Sequence, residues 1–123
     1  MAIHRLRASQ PYLNIILQAN ERIVEAVALI DTGASMTAVH PRLVEQLQPT
    51  RIGNELVGRV NAAPVMQPTY FLTIRLGLDT QQFAVEVVSS IPASPCDLLI
   101  GRDVLSRWIL FWDGAVDQLL ISY

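Results

Sequence analysis

The chain has no lysine, one cysteine and two histidines in 123 residues. Each scarcity excludes something. All nine cationic residues are arginines (Arg5, Arg7, Arg22, Arg42, Arg51, Arg59, Arg75, Arg102 and Arg107), and their scatter forms no basic stripe for nucleic acid. Cys96 alone cannot close an intrachain disulfide, which leaves the redox compartment open. His4 and His40 stand apart, without metal-ligand spacing, and read as surface or capping residues; no metal and no cofactor is expected. The opening residues, Met1-Ala2-Ile3-His4-Arg5-Leu6-Arg7, hold no apolar stretch of signal-peptide length. The longest unbroken apolar runs, such as Trp108-Ile109-Leu110-Phe111-Trp112, are too short for a membrane span, so a cytoplasmic location is the default expectation.

What is present is a chain that is 51% apolar with a net charge of −2, a balance that fits a globular protein rather than a disordered one. Its length suits one domain, residues 1–123, with a core of useful size. Residues 11–18 and 22–30 read as two strands around the polar turn Asn20-Glu21. Near residue 30 both parities are apolar, so both faces of that strand end are buried. Pro41 suits the first turn of a helix that buries Leu43, Val44 and Leu47 and stops before Pro49. Residues 55–60 form a strand, residues 61–64 a hairpin tip, and a long strand follows in which Tyr70, Leu72, Ile74 and Leu76 share one parity. Gly77-Leu78-Asp79-Thr80 turns the chain into a strand carrying Phe83, Val85 and Val87. A second short helix over 102–107 and a hairpin of 109–112 with 118–123 complete the chain.

One stretch does not fit an ordinary strand end. Val27-Ala28-Leu29-Ile30-Asp31-Thr32-Gly33-Ala34-Ser35 runs from buried apolar strand straight into a carboxylate, a hydroxyl and a glycine. About 70 residues later comes Leu98-Leu99-Ile100-Gly101-Arg102-Asp103-Val104-Leu105, an apolar strand closed by glycine and followed by a helix start. The first stretch resembles the active-site loop of aspartic proteases, and the pair in this order resembles the retropepsin-like proteases. The resemblance runs from Tyr12 to Tyr123 and implies an all-β fold: a closed or partly open β-barrel with one or two short helices and a flap hairpin.

It also implies roles. Peptide hydrolysis by this chemistry needs two carboxylates sharing one proton, and the chain carries one Asp-Thr-Gly. The implied enzyme is therefore a C2 homodimeric aspartic endopeptidase with one Asp31 from each subunit, acting on a peptide or protein substrate. Thr32 would bond across the axis to the opposite loop, and Gly33 would let the substrate backbone approach. Ala34 and Ser35 would border the cleft, while Asn61, Ala62 and Ala63 would form the flap tip over the substrate. Val39, Val65, Met66 and Ile100 would belong to the core or, alternatively, border an apolar cleft.

Three departures from the viral pattern stand out. The flap tip lacks glycines, since Gly58 precedes Asn61-Ala62-Ala63-Pro64. Ser35 replaces a common acidic partner of the Gly-Arg arginine, leaving the partner of Arg102 open, and Asp-Thr-Gly-Ala-Ser is more similar to cellular and bacterial members. The apolar end, residues 119–123, is β-prone enough to serve as dimer sheet. Beside the enzyme stands a second reading, a catalytically weak or inactive module of this fold that binds peptides or dimerises. A third is an unrelated monomeric β-barrel.

Overall fold

Alternation becomes register in the computed structural model, which describes residues 2–5 (backbone only), 12–59, 61–76, 82–92, 95–115 and 118–122. Pro11, Val60, the turn expected at 77–80 and Tyr123 lie outside the described residues. In chain order the elements are β1 (Ala2–Arg5), β2 (Tyr12–Ala19), β3 (Arg22–Ile30), β4 (Ala38–Val39), α1 (Pro41–Leu47), β5 (Thr50–Arg59) and β6 (Ala62–Leu76). They continue with β7 (Gln82–Ser89), β8 (Leu98–Ile100), α2 (Arg102–Leu105), β9 (Ile109–Asp113) and β10 (Gln118–Ser122).

Six strands close a barrel in the order β2-β3-β8-β4-β7-β6, sealed by a β2–β6 ladder, with β5 attached outside β6. Leu13, Ile15 and Leu17 of β2 and Leu72, Ile74 and Leu76 of β6 point inward and are buried. Each contributes on the order of 2 kcal/mol by leaving water. The fully apolar β8 runs parallel to β3, setting Ile30 beside Ile100, and antiparallel to β4, setting Ala38 beside Leu99. The end of β3 is thus buried on both faces, as its apolar parity requires. Trp108 follows α2 into the core and packs edge-on to Phe83, with ring centroids 5.4 Å apart.

Local chemistry explains the boundaries. His40 caps α1, its Nδ1 accepting the Arg42 N–H at 3.1 Å. Gln48 ends the helix in the left-handed region (φ 48°) and donates its N–H to the Val44 carbonyl. The β5–β6 hairpin is longer and tighter than its sequence implies: β5 begins at Thr50, and Ala62, Ala63 and Pro64 belong to β6. At its tip Asn61 takes φ 55°, a conformation that Asn tolerates. Pro64 fits inside β6 because it lies in a bulge, where Ala63 and Pro64 stand against Gly58 alone and the ladder is interrupted. The second helix ends at Leu105, two residues shorter than expected.

A separate three-stranded sheet, β1-β10-β9, joins both ends of the chain. Leu119 and Ile121 of β10 are buried beneath it, while Ile109 and Phe111 of β9 are 72% and 61% exposed.

Candidate active site

Asp31 sits one residue beyond β3. Its N–H donates to the Ile100 carbonyl at 2.9 Å, so the parallel ladder continues into the motif before the chain turns. The Ala34 N–H then donates back to the Asp31 carbonyl at 3.2 Å. Asp31 Oδ1 accepts the Gly33 N–H at 2.9 Å, an Asx-type turn that orients the carboxylate. Asp31 Oδ2 accepts no hydrogen bond among the described residues, which leaves one oxygen for a proton or a water. A Cβ at position 33 would lie 3.1 Å from Asp31 Oδ1 and press on the carboxylate.

A frame from β8 and α2 holds this loop from behind. A Cβ on Gly101 would fall 2.7 Å from the Met36 carbonyl carbon and 3.0 Å from the Ala34 oxygen, so only glycine permits the approach. Arg102 makes two contacts: its N–H donates to the Ala34 carbonyl at 2.8 Å, and its Nη1 donates to the Thr32 carbonyl at 2.8 Å. The partner of Arg102 left open by Ser35 is therefore backbone. Asp103 holds the far end of the loop. Its Oδ2 accepts the Thr37 N–H at 3.1 Å, and its Oδ1 accepts the Thr37 hydroxyl at 2.7 Å. The same Oδ1 accepts the Val104 N–H at 2.9 Å, and the fully buried Thr37 Oγ1 in turn accepts the Gly101 N–H at 3.1 Å. Thr37 and Asp103 carry no signal in the sequence beyond the Gly-Arg-Asp string itself.

Asp31 opens into a groove of about 620 Å³ between this loop and the β5–β6 hairpin. Gly33, Ala34 and Ser35 line it on the loop side. Opposite them stand Glu55, Leu56, Val57 and Gly58 of β5, with Val88, Ile91 and Leu99 between. Asn61, Ala62 and Ala63 lie exposed at the hairpin tip and are not among the groove-lining residues. Val39 and Ile100 are fully buried core, whereas Met66 is 57% exposed on the outer face of the hairpin. The Thr32 hydroxyl is exposed and makes no hydrogen bond among the described residues.

A second hollow of about 610 Å³ borders Asn14, Ile16, Glu25, Val27 and Asp97. Its acids are Glu25, exposed on β3, and Asp97, which is engaged. Asp97 Oδ2 accepts the Val27 N–H at 2.9 Å, and its other oxygen is paired with Arg42. The neighbouring Cys96 is buried, and that burial pushes its thiol pKa up, making it a poor nucleophile at neutral pH. The groove at Asp31 is the candidate site.

A model of the retroviral aspartyl protease family matches residues 7–110. The chain belongs to the retroviral aspartyl protease family. No curated protein matches its sequence. Among solved structures, the retropepsin-like aspartic protease from Rickettsia conorii superposes with a TM-score of 0.67 at 17% identity, covering 99% of this chain and 90% of that one. The EIAV protease, solved in complex with the inhibitor HBY-793, gives 0.62 at 19% identity over 80% of this chain and 86% of that one. The retroviral protease-like domain of Ddi1 from Leishmania major gives 0.55 at 22% identity over 94% and 90%. The retropepsin-like barrel with short helices is thus common to viral, bacterial and eukaryotic proteins. Among the described residues no helix is long and apolar enough to cross a membrane.

Proposed function

We propose that two copies of this chain assemble about a two-fold axis into an aspartic endopeptidase, each supplying one Asp31 to a shared dyad. The observation that carries the reading is the setting of Asp31. Its carboxylate is oriented by one N–H and faces a peptide-sized groove, yet no equally anchored second carboxylate stands beside it. Glu55, the other acid in the groove, belongs to the hairpin and makes no hydrogen bond among the described residues. The family and the retropepsin-like neighbours support the assignment, and the exposed Ile109 and Phe111 give the terminal sheet an apolar face to cover.

In the mechanism, one Asp31 is ionised and takes a proton from a water as that water attacks the scissile carbonyl carbon. The other is protonated and donates to the carbonyl oxygen. Collapse of the tetrahedral intermediate passes a proton to the amide nitrogen and breaks the C–N bond, leaving a carboxylic acid and an amine. The Thr32 hydroxyl, without a hydrogen bond among the described residues, braces the opposite loop. Gly33, Ala34 and Ser35 leave the substrate backbone room, and the hairpin with Asn61, Ala62 and Ala63 at its tip closes over it.

Purified protein and Asp31→Asn are compared on a broad peptide library between pH 4 and 7, with sedimentation of both. Cleavage by the wild type alone, with both proteins dimeric, is the expected result. Equal cleavage by Asp31→Asn removes the dyad, and a folded wild type that cuts nothing removes the enzyme.

A further inference from the structure

The groove at Asp31 has a charge pattern that the peptidase reading does not use. In the β5–β6 ladder Gly53 faces Thr69, Glu55 faces Gln67 and Val57 faces Val65, in unbroken register from 53 to 57. Side chains two residues apart share a face of a strand, and this face is the inner one, since Thr69 is fully buried and Val57 is half-buried. Leu56 and Met66, on the alternate parity, are 58% and 57% exposed, and Leu56 also borders the groove. Glu55 is itself exposed, shares the more buried face of the hairpin with Val57, and borders the same groove as Asp31.

The Glu55 carboxylate has no ion-pair or hydrogen-bond partner among the described residues. The other groove-lining groups are apolar or small hydroxyls: Ala34, Met36, Val57, Val88 and Leu99, with Ser35 and Ser90. Among the described residues no arginine or histidine lines the groove. Its two described ionisable groups therefore have the same sign and sit among apolar walls, where a like-charged ligand is rejected and a cation is drawn in.

We infer that Glu55 is a specificity-determining residue that selects peptides carrying an arginine or lysine within the segment that fills the groove, beside bulky apolar residues at the scissile bond. The inference rests on the peptidase reading of the same site and names its substrate class. Two-fold symmetry gives each half of the substrate its own Glu55, so a basic residue on either side of the bond is favoured. Glu55 acts on binding. It takes no part in moving the proton.

The test uses three peptides that share a central bulky apolar pair and carry arginine, glutamine or glutamate at the flanking positions. Cleavage by wild type, Glu55→Gln and Glu55→Arg is measured beside binding of statine-containing, non-cleavable versions of the same peptides. For wild type the arginine peptide should exceed the glutamine peptide in kcat/KM by roughly fivefold at low salt, with the gain in KM. Glu55→Gln should abolish the arginine-over-glutamine ratio, and Glu55→Arg should turn it toward glutamate. An unaltered ratio in both variants overturns the inference, and so does a fall in kcat common to all three peptides, which would place Glu55 in the chemistry. If wild type binds but cleaves nothing, the peptidase reading fails alone. The binding ratios then decide the role of Glu55: loss of arginine preference in Glu55→Gln upholds it, and no preference in wild type overturns it.

Discussion

Two walls face each other across the groove, and they are built on opposite principles. The Asp31 loop is tied to the stretch from Ile100 to Asp103 by backbone bonds at Asp31 and Ala34, by the Arg102 guanidinium on Thr32, and by both Asp103 oxygens on Thr37. The β5–β6 hairpin has its own ladder and a side-chain bond from Arg51 Nη2 to Asn54 Oδ1 at 2.7 Å, and it presents Ile52, Leu56, Met66 and Phe71 to water. In the proposed function the loop carries the chemistry, and it is held from several directions. There the hairpin covers the substrate, and a cover has to open. Anchoring is spent where a carboxylate must keep its position, and withheld where a wall must move.

The sharpest way to break this contrast is one substitution made on both walls. Gly101→Ala drives a Cβ into the Met36 backbone, which cannot yield as a side-chain end could. It should cost about 3 kcal/mol or more in denaturant unfolding, or prevent folding. Gly58→Ala on the hairpin meets nothing within 4 Å, and its stability should change by less than about 0.5 kcal/mol. Similar losses at both positions would refute the difference between the walls.

Between those extremes lies Asp103→Ala, which strands the Thr37 N–H and removes the acceptor of its buried hydroxyl. A loss of about 2 kcal/mol is expected, with Asp103→Asn recovering part of it. A smaller effect concerns Cys96, just ahead of β8 in the same frame. Burial raises its thiol pKa, so the folded chain holds this proton at alkaline pH after the unfolded chain has released it. Stability should therefore fall as pH rises above the ordinary thiol value of 9.0 toward the folded one, a slope that Cys96→Ala should reduce. The same slope in Cys96→Ala would assign it to other groups.

Long periodic segments were legible in the sequence: β2, β3, β6 and β7 follow their alternation, and α1 lies between Pro41 and Pro49. The fold class followed from two motifs that meet in space as a parallel pair, Ile30 beside Ile100. Other features left no local trace. The two-residue strand β4 exists only because partners at 88–89 and 98–99 flank it, and two residues have no period to read. Asn61-Ala62-Ala63-Pro64 reads as a hairpin tip, but a bulge in β6, where Ala63 and Pro64 stand against Gly58, lets Pro64 lie in the strand. Arg102 could be matched to no acid because its acceptor is a carbonyl, which every residue carries. Glu55 was passed over because a single acid in a polar-looking strand has no meaning until the strand's inner face is known.

The central claim is that the site is incomplete in one chain, and mixing measures this most directly. A fixed amount of wild type, at a concentration where dimers are saturated, is equilibrated with increasing Asp31→Asn, and peptide cleavage is followed. If each site needs one Asp31 from each of two exchanging subunits, an equal amount of Asp31→Asn should reduce cleavage to about half, and a threefold excess to about a quarter. Cleavage that stays constant while sedimentation shows that the subunits have exchanged would mean that one chain carries a whole site, and the account would be wrong.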